Sequence, residues 1–143
     1  MRSISAILAI GALALAGCDN GQQPPNRTPI KVTSAEQQQL HELDAFNLAI
    51  GLKRAIYDAG YTCKRITDAG FVGTWKNNDM WMAHCVYEKG TPRDWAIFAG
   101  PDGSAQVRDC ADIKAGNPQL SADQVIPECV IKERPKGSFS EIK

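Results

Sequence analysis

Between residues 61 and 110 the chain alternates short apolar segments with tight turns, and this spacing restricts how the segments pair. Lys76-Asn77-Asn78-Asp79 precedes the run 80–87, Lys89-Gly90-Thr91-Pro92 precedes 95–99, and Gly100-Pro101-Asp102-Gly103 precedes 105–110. Proline presets the first corner of a turn and glycine accepts positive φ, so the last of these is a strong reversal signal. A parallel crossover needs a dozen or more residues, which none of these links supplies. Consecutive segments are therefore expected to pair as antiparallel hairpins. Segments 61–66 and 71–75 add an edge strand or two, completing a four-stranded meander.

Ahead of the strands, residues 34–60 carry helical periodicity. Ser34 stands three residues before Gln37 in capping-box register, and Gly60 after Ala59 supplies a left-handed stop. Leu48, Leu52, Ala55, Ile56 and Ala59 share one face of such a helix, and Leu43, Phe46, Ile50 and Tyr57 share a second. Asp44, Asn47, Arg54 and Asp58 run between them. The first face is expected on the sheet and the second under cover within the domain, the alternative being a partner or dimer surface. The fold class follows as α+β, one N-terminal helix packed on a four-stranded antiparallel meander with two disulfides. A further short helix is expected near Ser121-Ala122-Asp123-Gln124, held back through Cys129.

The opening residues have a different texture. Arg2 supplies a positive charge, Ile4 to Leu15 an apolar stretch, and Ala16-Gly17 the narrow backbone that a signal peptidase accepts. The stretch is about 12 residues, short of the roughly 20 that a membrane-crossing helix needs. Leu15-Ala16-Gly17-Cys18 resembles the lipobox of bacterial lipoprotein precursors, matching at all four positions. That resemblance implies removal of residues 1–17, diacylation of Cys18, and attachment to a bacterial cell membrane at its extracytoplasmic face through acyl chains such as palmitate. Asp19 resembles the residue that retains enteric lipoproteins in the inner membrane, so the periplasmic side of that membrane is favoured for a Gram-negative source. Residues 19–33, with Gln22-Gln23-Pro24-Pro25 and Pro29, read as a tether with an end-to-end distance of roughly 20 Å. The organisation is then leader 1–17, anchor and tether 18–33, globular domain 34–131, and a charged, frayed tail 132–143.

Setting Cys18 aside leaves Cys63, Cys85, Cys110 and Cys129, spaced too widely for the C-x-x-C pairs of zinc and redox sites. In an oxidising envelope four such residues form two disulfides, each contributing on the order of 3 kcal/mol. Three connectivities exist. The pairs nearest along the chain, Cys63 with Cys85 and Cys110 with Cys129, are the expected ones.

Charge gives no hint of a polyanionic partner: 16 basic residues balance 16 acidic ones, and no basic stripe interleaved with aromatics marks a nucleic-acid site, so no nucleic-acid partner is expected. Catalytic signals are equally sparse. His41 and His84 are the only histidines, neither with a carboxylate at ligand spacing, so both read as surface or satisfied core residues rather than metal ligands. Ser104 lacks a G-x-S-x-G frame, Gly70-x-x-Gly73 reads as a bend, and no motif calls for a cofactor.

Trp75, Trp81 and Trp95, with Phe71, Tyr87 and Phe98, crowd the strand region. They are expected mainly as core, with ligand contact reserved for whichever tryptophan is exposed. The leading functional expectation is a non-enzymatic envelope lipoprotein whose domain binds a protein or a cell-wall component. Tyr61-Thr62-Cys63 resembles the Y-x-C opening of the small lysozyme-inhibitor lipoproteins, which implies inhibition of an envelope-attacking hydrolase; their later glycine-arginine-tyrosine segment has no counterpart. An enzyme with an unrecognised site is the third reading.

Overall fold

The computed structural model describes residues 33–113 and 125–139. Cys18, Asp19, the leader and the short helix expected near residues 121–124 lie outside the described residues. Two helices, α1 (Ala35–Glu42) and α2 (Ala45–Asp58), are followed by β1 (Arg65–Trp75), β2 (Asn78–Val86), β3 (Arg93–Ala99), β4 (Ala105–Asp109) and a 3-10 turn, Cys110–Asp112. The strands make one antiparallel sheet in the order β1-β2-β3-β4. The fold is α+β, with the meander that the turn spacing predicts.

The single helix expected over 34–60 is instead two. Leu43 is extended, and the Asp44 carboxylate accepts the Asn47 N–H at 2.8 Å, capping a new helix. Asp44 therefore acts as an N-cap rather than as one residue of a polar strip. The break lets α1 fold toward the β1–β2 turn while Leu43 packs against the core. The outer signals hold. Ser34 and Gln37 form the reciprocal capping box, and Gly60 at φ 85° ends α2, with the Tyr61 N–H donating to the Ile56 carbonyl at 3.0 Å.

α2 lays Leu48, Ala49, Leu52 and Ile56 on the sheet, against Ile66, Ala69, Trp81, Ala83, Cys85, Trp95 and Ile97. β2 and β3 alternate strictly, sending Trp81, Ala83, Cys85, Trp95 and Ile97 to the helix side and Met80, Ala96 and Phe98 to the other. β1 does not alternate. Its pairing with β2 shifts between Ile66 and Asp68 and again between Phe71 and Gly73. Each irregularity reverses the side-chain parity, so Ile66, Ala69 and Phe71 all face the helices while Val72 and Trp75 face away. Two bulges explain why one 11-residue strand reads from its sequence as two fragments.

Cys63 bonds to Cys85 and Cys110 to Cys129, the expected pairs. The first bridge is fully buried beneath α2; the second helps cover the far face of the sheet, with Ile113 and Ile126. Intact mass should accordingly rise by two hydrogens per bridge on reduction under denaturing conditions. Alkylation of any of the four thiols before reduction would contradict the pairing.

The tail expected to fray from Lys132 is docked as far as Phe139. The Phe71 N–H donates to the Glu133 carbonyl at 2.8 Å, and the Lys132 N–H donates to the Phe71 carbonyl at 2.8 Å, which covers the middle of the β1 edge. Arg134 holds both carboxylate oxygens of Asp68, at 3.2 and 2.8 Å, and that hydrogen bond and charge raise the pKa of the guanidinium. The Lys136 carbonyl accepts the N–H of Ala45, one of the donors a helix start leaves open, and Phe139 packs against the core. Charged side chains point to water here while the backbone makes the attachment. Composition sees only the former.

Candidate functional site

Burial decides the tryptophans first. Trp81 and Trp95 are only 3% and 4% exposed and belong to the core beneath α2, which removes both as ligand contacts. The Trp95 indole N–H donates to the Tyr87 hydroxyl at 3.3 Å, which donates to the Thr62 carbonyl at 2.8 Å. Trp75 is half-buried, edge-on to Phe98 at 5.7 Å, with the Lys76 ammonium 4.6 Å from its ring centroid. A cation already occupies the face that a ligand would stack on.

Both histidines acquire carboxylate partners that their sequence neighbourhoods do not advertise. His41 Nε2 meets Asp79 Oδ2 at 3.0 Å, and its ring lies 4.6 Å from Phe71 and 4.8 Å from Trp81. Asp79 is 2% exposed, so this imidazole satisfies a buried acid at the junction of α1 and the sheet. His84 Nδ1 pairs with Asp94 across β2 and β3, which that hairpin's register makes neighbours. Each imidazole thus has a carboxylate as its hydrogen-bond partner, one buried and one at the surface. Gln37 also has a role the capping box did not reveal. It is 2% exposed, and its amide donates to the Asn77 carbonyl at 2.8 Å and the Ala99 carbonyl at 3.1 Å, fastening α1 to the sheet ends.

A cavity of about 470 Å³ lies between the two helices and the β3–β4 hairpin. Leu40, Leu52, Ala55, Ile97, Ala99 and Ala105 give it apolar walls, and Glu36, Arg54, Asp58 and Ser104 contribute polar groups. Arg54 and Asp58 are exposed, one helical turn apart, and 3.9 Å from each other. β4 forms one end of the sheet and is paired only with β3 among the described residues. Alternate residues of such an edge strand turn backbone donors and acceptors outward. The groove thus joins an apolar trough to a strand edge that no described residue pairs.

Gly51 marks the groove wall. It sits inside α2, where glycine costs about 1 kcal/mol relative to alanine, and a Cβ built on it meets nothing within 4 Å. Gly51→Ala should therefore stabilise the domain by about 0.5–1 kcal/mol, seen as a higher urea midpoint with unchanged slope. A lower midpoint would show that this wall is already in contact.

On the other flank of α2 the second apolar face is uncovered. Phe46, Ile50 and Tyr57 are each about half exposed, as is Tyr61 just beyond the helix, whose ring stacks on Trp95 at 4.5 Å. The expectation of cover within the domain is met only for Leu43; no described residue buries the rest. A helix can bury one broad stripe on a sheet, and the break at Leu43–Asp44 directs α1 away from this flank, toward the β3 end. Comparison with protein-family models, with curated proteins and with solved structures finds no match to this chain.

Proposed function

We propose that this protein is a lipid-anchored envelope protein whose domain binds a polypeptide partner and catalyses no reaction. The observation that carries the reading is the groove of about 470 Å³ with apolar walls, lying beside the edge of β4 that no described residue pairs. An extended segment added to such an edge gains main-chain hydrogen bonds along its length, and its alternate side chains enter the trough, which is β-strand addition with pockets for specificity. The anchor part of the reading rests on Leu15-Ala16-Gly17-Cys18 and the polar spacer behind it. Acylation would confine the domain to a membrane surface, and Asp19 favours the inner membrane of a Gram-negative cell.

The test is a photocrosslinking amino acid placed at Ala105 in the cellular protein. Adducts to one polypeptide, reduced by Gly51→Trp, would support the reading. Adducts to cell-wall glycan alone, or none above those from a crosslinker at Lys89, would overturn it. A crosslinked envelope hydrolase would make the partner an inhibited enzyme. Fractionation of wild type against Cys18→Ser checks the anchor separately: the first should require detergent, and Cys18→Ser should carry no acyl mass.

A further inference from the structure

We infer that the uncovered flank of α2 rests in the headgroup region of the bilayer that Cys18 anchors, an assignment that depends on the anchor reading above. Phe46, Ile50, Lys53 and Tyr57 follow one another at steps of four, three and four residues, which sets them in one row along the helix. Tyr61, beyond the helix end, is outside this row, its ring lying on Trp95 of β3. Lys53 does not interrupt its apolar character. Its ammonium donates to the Lys64 carbonyl at 2.8 Å and lies 6.0 Å from the Tyr57 ring centroid, so its stem lies along the row while its charge sits at the margin.

Size argues against a protein as the occupant. Three aromatic or aliphatic side chains of this kind, each half exposed, offer about 300 Å² in total, against about 800 Å² per partner in a standard protein interface. An isolated row of that area forms no stable dimer. It does suffice for a surface that is already close. Fifteen residues separate Cys18 from Thr33, where the described chain starts, and a random coil of that length reaches roughly 20 Å. α2, with 14 residues, is about 21 Å long, so an anchored domain can bring the whole row to the membrane. A short tether raises the effective concentration of such a contact to about the millimolar range, where weak interfacial affinity is enough.

The side chains suit that boundary. Tyrosine is enriched where one end of the ring is in hydrocarbon and the other in water. Lys53 and Lys64 lie at the Tyr57 end, where anionic headgroups attract them, although Glu88 already engages Lys64 at 2.7 Å. The groove opens on the opposite flank of α2, where Gly51, Arg54 and Asp58 line it. A domain lying on its Phe46–Tyr57 row therefore keeps β4 and the groove clear of the bilayer.

The test uses the acylated full-length protein reconstituted into vesicles of phosphatidylcholine and phosphatidylglycerol in equal parts, with a trace of photoactivatable phospholipid. Peptides covering residues 46–61 should be labelled severalfold more than those covering β4, and F46E/I50E should lose that excess while remaining folded and acylated. Equal labelling of both regions, or labelling unchanged in F46E/I50E, would overturn the assignment. So would labelling of α2 that falls as protein density in the vesicles rises, the mark of self-association through this face. Intact mass of the same sample separates the two levels: an unacylated Cys18 sinks the anchor reading, whereas an acylated protein with unlabelled α2 sinks only the bilayer contact.

Discussion

Ile56→Asp should unfold most of the protein at room temperature, whereas Ile50→Asp, six residues earlier on the same helix, should leave stability within about 0.5 kcal/mol of wild type. Ile56 is fully buried against the sheet and Ile50 is half exposed. An aspartate at 56 places an unpaired carboxylate among Ile66, Trp81 and Trp95, with no cation in that cluster to meet it. The loss of a buried aliphatic side chain and the desolvation of the charge together cost about 5 kcal/mol, comparable with the whole stability of a small domain. Denaturant titration followed by near-ultraviolet circular dichroism reads both variants. Equal effects at the two positions would mean that α2 is rotated from the orientation described.

Gly70→Val should cost about 3–4 kcal/mol, although valine is the better strand former. A Cβ at residue 70 would run into the carbonyl oxygen of Glu133 and approach Cγ2 of Ile131 to 2.5 Å. Glu133 is held there by the Phe71 N–H, so the neighbour is pinned backbone rather than a side chain that can swing aside. Relief requires the 131–134 segment to leave the β1 edge, which gives up its hydrogen bonds to Phe71 and strains the Arg134–Asp68 pair. Amide exchange at Phe71 and Lys132 should then rise ahead of exchange in β2 and β3. Unchanged protection at those two amides would show that the segment is not docked through them.

The meander was legible because it depends on local information. Turn residues such as Pro101 and Gly103, and links too short for crossovers, leave antiparallel neighbours as the only pairing. Capping signals worked for the same reason, since Ser34, Gln37 and Gly60 act within one helical turn of themselves. The Cys63–Cys85 bridge follows from the meander, since β1 and β2 pair Ile66 with Cys85, whereas Cys129 lies outside the strands and its bridge to Cys110 does not. The α1–α2 break was present in the sequence as Asp44. It went unread because an aspartate in a polar strip and an aspartate that caps have the same local pattern.

What the sequence by itself determined, then, is the α+β class and the strand order of the meander; it left three disulfide connectivities open and offered a membrane address at Cys18 as an expectation. Tertiary structure alone decided that no described residue covers the second apolar face of α2, because the break at Leu43–Asp44 directs α1 away from Phe46, Ile50 and Tyr57. It also decided that Asp79 is buried beside His41, 38 residues away, and that Gly51 borders open space, because contacts between distant segments have no period along the chain. The docking of residues 132–139 belongs to the same class. Its attachment runs through backbone N–H and C=O groups, which every residue except proline carries alike, so a charged sequence and a paired one look the same until the partner edge is in place.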